Sequence, residues 1–184
     1  MEKVIHLETD RLILRQWKEK DWPIFAEMNS DPAVMAYFPS TLSESKSNEV
    51  ADRISQLISR QGWGLWAAEE KSKKKFIGFI GLHKPKPELP FSPCVEIGWR
   101  LARKYWGKGF ATEGARAALK VAFEHLELSE VFSFTSVGNL KSRAVMERIN
   151  MLNTHHNFEH PDVPIGNPLR EHVLYKLTKK QWVE

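Results

Sequence analysis

Gly107, Gly109 and Ala111 alternate with Trp106, Lys108 and Phe110, and Thr112 closes the run. Small residues at this spacing let backbone N–H groups converge without side chains between them. A helical pattern begins immediately afterwards. Its first-turn donors have no intrahelical partner, and its dipole presents a positive end. Together these form a cradle for phosphate. Two familiar phosphate loops are excluded. A Walker loop requires Gly, four residues, then Gly-Lys-Ser/Thr, and the chain has no such string. A dinucleotide fingerprint requires a third small residue where Thr112 stands, after a continuously apolar strand. Here the preceding strand, Val95 to Leu101, alternates. One face carries Cys94, Glu96 and Arg100, and the other is apolar.

Near the start of the chain, Thr9 to Gln16 reads as a first strand, with Leu12 and Leu14 in alternation. Asp21 to Asn29 reads as a helix, with Asp21 as N-cap and Pro23 in its first turn. A second helix spans about Ser43 to Ser59, with Val50, Ile54, Leu57 and Ile58 on its apolar side. Gly64 to Glu69 and Phe76 to Leu82 form a hairpin around the basic turn Lys71 to Lys75. Pro85, Pro87, Pro90 and Pro93 mark a loop. After the strand ending at Leu101 come a helix from Thr112 to Leu126, a strand from Val131 to Val137, and a helix from Leu140 to Ile149 ended by a left-handed Asn150. A last strand covers Arg170 to Leu177. The order β-α-α-β-β-β-α-β-α-β predicts an α/β (α+β) chain with a mixed central sheet and helices on both faces.

The 184 residues suffice for one packed domain, residues 1–184. A hydrophobic fraction of 42% excludes general disorder. No segment approaches the ~20 apolar residues that span a bilayer, and the first residues lack a signal-peptide run. The single cysteine, Cys94, excludes an internal disulfide and any cysteine-based metal cluster. These features suit a cytoplasmic protein without membrane contact. The formal charge of +4 is mild, and its spread argues against direct nucleic-acid binding. It suits an anionic ligand.

Three segments carry a family resemblance. They are Thr9-Asp10-Arg11-Leu12-Ile13-Leu14-Arg15, the pair Glu96-Ile97-Gly98-Trp99 and Tyr105 to Glu113, and Asn139-Leu140-Lys141-Ser142-Arg143-Ala144-Val145-Met146. In this order the chain resembles the GNAT family of N-acetyltransferases. More narrowly it resembles the RimJ/RimL-like branch that acetylates ribosomal-protein N-termini. The resemblance implies a sheet splayed between the fourth and fifth strands of the order above, where the pantetheine arm of acetyl-CoA would lie. It also implies backbone contacts from Trp99, Arg100 and Leu101, and a pyrophosphate cradle at Trp106, Gly107, Lys108, Gly109, Phe110, Ala111 and Thr112. Many relatives begin that loop with Gln or Arg, where this chain has Trp106. The implied partners are acetyl-CoA and an amine acceptor, with no metal. A homodimer is left open, as is a catalytically inactive acyl-CoA-binding or sensor module.

Acetyl transfer from a thioester to an amine requires loss of the ammonium proton, stabilisation of the carbonyl oxygen, and protonation or stabilisation of the departing thiolate. The resemblance places Glu96 where relatives keep a base, and Ser142 as the acid toward the thiolate. Some relatives use a Tyr seven residues after the Asn for that step, and Met146 stands there instead. A structural role for Glu96 would pair it with a cation such as Arg100, and one for Ser142 would bond its own backbone. Asn139 either contacts pantetheine or caps the helix from Leu140. Cys94 lacks a His–Asp partner set for a covalent route. His155 and His156 point to opposite faces of an extended chain and do not share an ion. His160 and His172 line the acceptor side or simply fill loop and strand positions. Of the seven Trp, Trp66 and Trp99 suit core positions, while Trp63 suits either the core or the acceptor cleft beside Met35 and Phe38.

Overall fold

The computed structural model describes residues 3–182. Two short strands open the chain, β1 (Leu7–Glu8) and β2 (Leu12–Arg15). The strand expected from Thr9 starts at Leu12, and residues 9–11 form the turn that pairs it with β1. Thr9 takes both backbone directions of Leu12, donating its N–H to the carbonyl at 2.9 Å and accepting the Leu12 N–H on Oγ1 at 2.9 Å. Helices α1 (Trp22–Ser30) and α2 (Glu44–Gln61) follow. Ser43 caps α2 through Oγ, and Gly62 ends it at φ +80°.

Asp21 stands at the N-cap of α1, but its carboxylate does not cap. Arg15 takes both oxygens, at 2.7 and 2.9 Å, and the Lys18 N–H adds a third bond. Arg15 also pairs with Glu69 at 2.7 Å. Both Arg15 and Asp21 are buried. Burial pulls the Arg15 pKa down, yet the bonds to Asp21 and Glu69 outweigh it and leave the pKa raised. A buried guanidinium demanded carboxylates, and it took the one that sequence reasoning assigned to the helix end.

The remaining strands are β3 (Leu65–Glu70), β4 (Lys75–His83), β5 (Glu96–Leu101), β6 (Glu130–Ser136), β7 (Leu152–Asn153), β8 (Phe158–Glu159) and β9 (Glu171–Thr178). Between them lie α3 (Phe110–Lys120) and α4 (Leu140–Arg148). Helix α3 begins two residues before its expected start, and Val121–His125 continues it as a wider π-type turn. β7 and β8 are two residues each, too short to leave a periodic pattern. The sheet runs β1-β2-β3-β4-β5-β6-β9-β7, with β8 on β9. All pairs are antiparallel except β5–β6.

Neighbouring residues of β4 show the two layers. Phe79 packs its ring 6.0 Å from Phe25 of α1, whereas Ile80 faces α3. The approach of α3 is close because residue 114 is glycine. A Cβ there would meet Ile80 Cδ1 at 2.4 Å. Trp66 and Trp63 both join the core, so Trp63 does not line a cleft. Leu57, expected on the apolar side of α2, is 42% exposed. Asn150 adopts φ +64° at the end of α4, as its position suggests.

Candidate active site

The parallel pair β5–β6 is held at one end only. Glu96 registers with Phe132, the Phe132 N–H donates to the Val95 carbonyl at 2.9 Å, and Ser133 Oγ donates to the Ile97 carbonyl at 2.9 Å. Beyond Ile97 no backbone pairing joins the strands, and the sheet opens. Alternation fixes which backbone groups face that opening. Ala102 N–H bonds the Ile77 carbonyl on β4, so the even residues of β5 turn their N–H and C=O toward β4. Trp99 and Leu101 thus direct their backbone groups to the opening. Arg100 directs its own to β4, and only its side chain can serve the site.

The glycine loop lies past the open end. Gly107 and Gly109 have φ values of +71° and +81°, a region that costs an L-residue about 1–2 kcal/mol. Gly109 occupies the N-cap of α3. The N–H groups of residues 107–112 have no acceptor among the described residues, while the Glu113 N–H makes the first helical bond to Gly109 at 3.0 Å. A Cβ on Gly107 would meet nothing within 4 Å. A run of unsatisfied donors at a helix N-terminus fits a pyrophosphate group.

What turns the loop this way is Arg11, which sequence reasoning did not single out for the site. Its Nη1 donates to the Lys108 carbonyl at 2.9 Å and so fixes that oxygen in the middle of the loop. Glu113 fixes Arg11 in turn, at 2.7 Å to Nε and 2.8 Å to the backbone N–H, and accepts from Thr9 Oγ1 at 2.6 Å. Burial raises the Glu113 pKa, but the bonds from Thr9 and Arg11 outweigh it and hold the carboxyl below its usual range. The guanidinium also covers the Phe110 ring at 4.6 Å. Trp106 closes the other side. Its indole N–H bonds the Leu101 carbonyl at 2.8 Å, and Lys141 of α4 sits 4.4 Å over its ring. Lys141 thus adds a cation beside the loop that opens on Trp106 in place of Gln or Arg.

Helix α4, which follows β6, carries Ser142 in its first turn. Asn139 caps it, accepting the Ser142 N–H on Oδ1 at 3.3 Å and donating to Thr135 Oγ1 at 2.9 Å. The capping reading therefore accounts for both ends of the Asn139 amide. The Ser142 side chain is half-buried, and its hydroxyl has no hydrogen-bond partner among the described residues. Met146 is buried in the core.

On the opposite face of the sheet, Glu96 pairs with His83 of β4 and not with Arg100. His83 Nε2 lies 2.7 Å from Glu96 Oε2. Burial pulls the imidazole pKa down, but the Glu96 charge and hydrogen bond, with a backbone bond at Lys84, outweigh it and raise the pKa. The other carboxylate oxygen stands over Gly98. A Cβ at that glycine would meet only Glu96 Oε1, at 3.8 Å. The absence of a side chain at 98 leaves a notch beside a carboxylate that has one oxygen held and one turned toward the gap. Cys94, just before β5, has its thiol pushed up to about 11 by burial and the charges of Glu96 and Glu130. It is a poor nucleophile at neutral pH.

Further along, the rings of His160 and His172 pack at a tilt, 4.9 Å apart, among Phe134 and Phe158. Burial lowers both imidazoles, His172 to about 4. They form a neutral aromatic wall. His155 and His156 are exposed. No group of three or more His, Cys, Asp or Glu able to hold a metal ion occurs among the described residues.

A splayed parallel pair, a glycine cradle beyond its open end and a carboxylate at its closed end agree with the sequence comparison. Residues 11–152 match the model of the acetyltransferase (GNAT) domain. The chain belongs to the GNAT family. It is an N-acetyltransferase, and GNAT acetyltransferases use acetyl-CoA as co-substrate. The chain is 31% identical over 146 residues to YkkB of Bacillus subtilis, covering 79% of this chain and 84% of that protein. It is 30% identical over 184 residues to the FsC-acetyl coenzyme A-N(2)-transacetylase of Aspergillus fumigatus, covering 96% of this chain and 77% of that enzyme. A GNAT-family acetyltransferase from Bacillus anthracis has a similar structure, with TM-score 0.79 and 26% identity over 96% of this chain and 99% of that one.

Proposed function

We propose that this acetyltransferase moves the acetyl group of acetyl-CoA to a primary amine by direct attack in a ternary complex, without an acyl-enzyme. Glu96 carries the reading. Its Oε2 is held by His83, and its Oε1 overlooks the notch at Gly98. An amine entering from that face meets a fixed carboxylate before it reaches the splay. Glu96, directly or through a water, takes the ammonium proton. The backbone N–H groups of Trp99 and Leu101 bind along the pantetheine arm, and the loop from Trp106 to Thr112 receives the pyrophosphate. Ser142 supplies a proton to the leaving thiolate from the other side of the splay. The raised thiol pKa of Cys94 supports the direct route.

The acceptor is an N-terminal α-amine or a small-molecule amine. The RimJ/RimL-like segments favour the first, and the likeness to an enzyme named for FsC favours the second. Thiol release from acetyl-CoA, measured against a panel of small amines and N-terminal peptides, tests the reading. Amine-dependent thiol release with a matching N-acetyl product supports it. Thiol release that is absent with every amine, in a protein that binds acetyl-CoA, would overturn it.

A further inference from the structure

Two polar side chains on the acceptor face have buried atoms that nothing in the fold satisfies. Arg100 Nε and Ser136 Oγ are both enclosed and without a hydrogen-bond partner among the described residues. They belong to different strands, but their positions correspond. Glu96 registers with Phe132 at the closed end of the splay, and four residues further along each strand stand Arg100 and Ser136. Equal even offsets keep both side chains on the face that bears Glu96 and the Gly98 notch. They flank the opening from its two sides.

The surroundings of Arg100 are those of a cation awaiting an anion. Its Nη1 donates to Asn29 Oδ1 at 2.8 Å, and its guanidinium lies 4.2 Å from the Phe38 ring and 5.4 Å from the Phe79 ring. No carboxylate pairs with it among the described residues. Burial lowers its pKa to about 10, which leaves it charged at neutral pH. Buried charges are ordinarily paired: Arg15, the one fully buried arginine among the described residues, has two carboxylates, whereas the half-buried Arg100 with its enclosed Nε has none. Asn29 is itself fully buried and tied to Ser47 at 2.9 Å, so it holds the guanidinium in place. The cover is the segment between α1 and α2. Phe38 remains 41% exposed, and Tyr37 reaches the β6 side, where a Cβ on Gly138 would lie 3.8 Å from its ring.

We infer that Arg100 and Ser136 anchor a carboxylate on the acceptor, so that the substrate is a small amine that also carries a carboxylate. This rests on Glu96 and the Gly98 notch receiving the amine. Gly98 precedes Arg100 by one strand repeat, ~7 Å along the chain, a separation that a short amino acid spans between its two charged ends. One guanidinium with one hydroxyl balances a single negative charge, which favours a carboxylate over a phosphate dianion. The planar guanidinium retains parallel N–H donors for two carboxylate oxygens.

The test compares matched acceptors that differ only in the anion, namely glycine, β-alanine and 4-aminobutyrate against their carboxamides. The wild-type enzyme is expected to favour one or more of the acids by at least about ten-fold in kcat/KM, as a charge-assisted bond implies. Arg100→Gln should collapse that ratio toward one, Arg100→Lys should keep part of it, and Ser136→Ala should reduce it about three- to ten-fold. A wild-type ratio at or below one, or a preference for O-phosphoethanolamine, would overturn the proposal without touching acetyl transfer. If no amine releases thiol, binding of N-acetyl-β-alanine and its carboxamide to the CoA-loaded wild-type enzyme decides the matter. A shift of the Arg100 15Nε resonance with the acid alone sustains the anchor, while equal shifts or none overturn it.

Discussion

His83 Nε2 and Glu96 Oε2 meet at 2.7 Å across the β4–β5 pair, and the pairing leaves Glu96 Oε1 as the oxygen that faces the Gly98 notch. The raised His83 pKa and the proposed proton transfer are two consequences of this one contact. A histidine whose folded pKa is raised contributes stability that is fully present below its unfolded pKa. That contribution is lost as the pH rises through the folded value. The His83–Glu96 pair therefore tightens in mild acid and weakens on the alkaline side.

Glu96→Gln keeps the shape and removes the charge. The His83 resonance, followed by NMR, should then titrate at lower pH than in the wild type, because burial remains and the carboxylate is gone. In the same variant kcat/KM should fall by about 10²–10⁴ near neutral pH. The mutant-to-wild-type ratio should recover partly at high pH, where free amine is abundant. A ratio near one from pH 6 to 9.5 would place the base elsewhere.

The Arg11 clamp on the glycine loop predicts a separable effect. Arg11→Ala frees the Lys108 carbonyl and removes the guanidinium from Glu113, which keeps its bonds from Thr9 Oγ1 and from the backbone N–H of residue 11. Acetyl-CoA affinity measured by calorimetry should drop, by about ten-fold if one positioning hydrogen bond of ~1.5 kcal/mol is lost. Glu113 is a carboxylate with a lowered pKa, so its contribution is present above the unfolded pKa and is lost as the pH falls through the folded one. Weakening of acetyl-CoA binding in acid should therefore be shallower in Arg11→Ala than in the wild type. Unchanged affinity in a folded variant would show that the loop holds its shape alone.

These two contacts also show what the sequence displays and what it hides. The glycine loop and its flanking strand and helix are contiguous, so their chemistry is written in local spacing. Arg11 reaches Lys108 and Glu113 across about a hundred residues, and only the pairing of β2 with the sheet brings them together. His83 lies one residue past the expected end of its strand, and its meeting with Glu96 depends on a register set beyond a proline-rich loop. Asp21 looked like a cap because cap residues are short and polar. Its carboxylate went to Arg15, whose buried charge was the stronger claim. Arg100 was legible as a face of β5, but its lack of a partner is a property of the packed molecule.

Cys94 offers a test of the direct route. With its thiol pushed up to about 11, almost none is thiolate at neutral pH. Cys94→Ser should keep kcat within about two-fold, and iodoacetamide should label the native protein slowly at pH 7.5. Loss of turnover in the serine variant, or an acetyl group trapped on the thiol by mass spectrometry of quenched enzyme, would instead establish a covalent intermediate.

Ser142 provides the last test, because two readings of it differ in one measurable quantity. Its N–H already serves the Asn139 cap, so removing the hydroxyl leaves that cap in place. Ser142→Ala should therefore unfold within about 0.5 kcal/mol of the wild type, as a change outside any satisfied network does. If the hydroxyl protonates the leaving thiolate, kcat should fall about 10²–10⁴-fold while acetyl-CoA binding stays near normal. The loss should shrink with an acyl donor whose thiol is more acidic, since a better leaving group needs the proton less. Acetyl-thiocholine or an aryl thioester would be too remote from the cradle to compare, so the donor should be a CoA analogue with electron-withdrawing groups next to sulfur. A uniform loss across donors would mark Ser142 as positioning the arm, and undiminished turnover would leave it a helix residue.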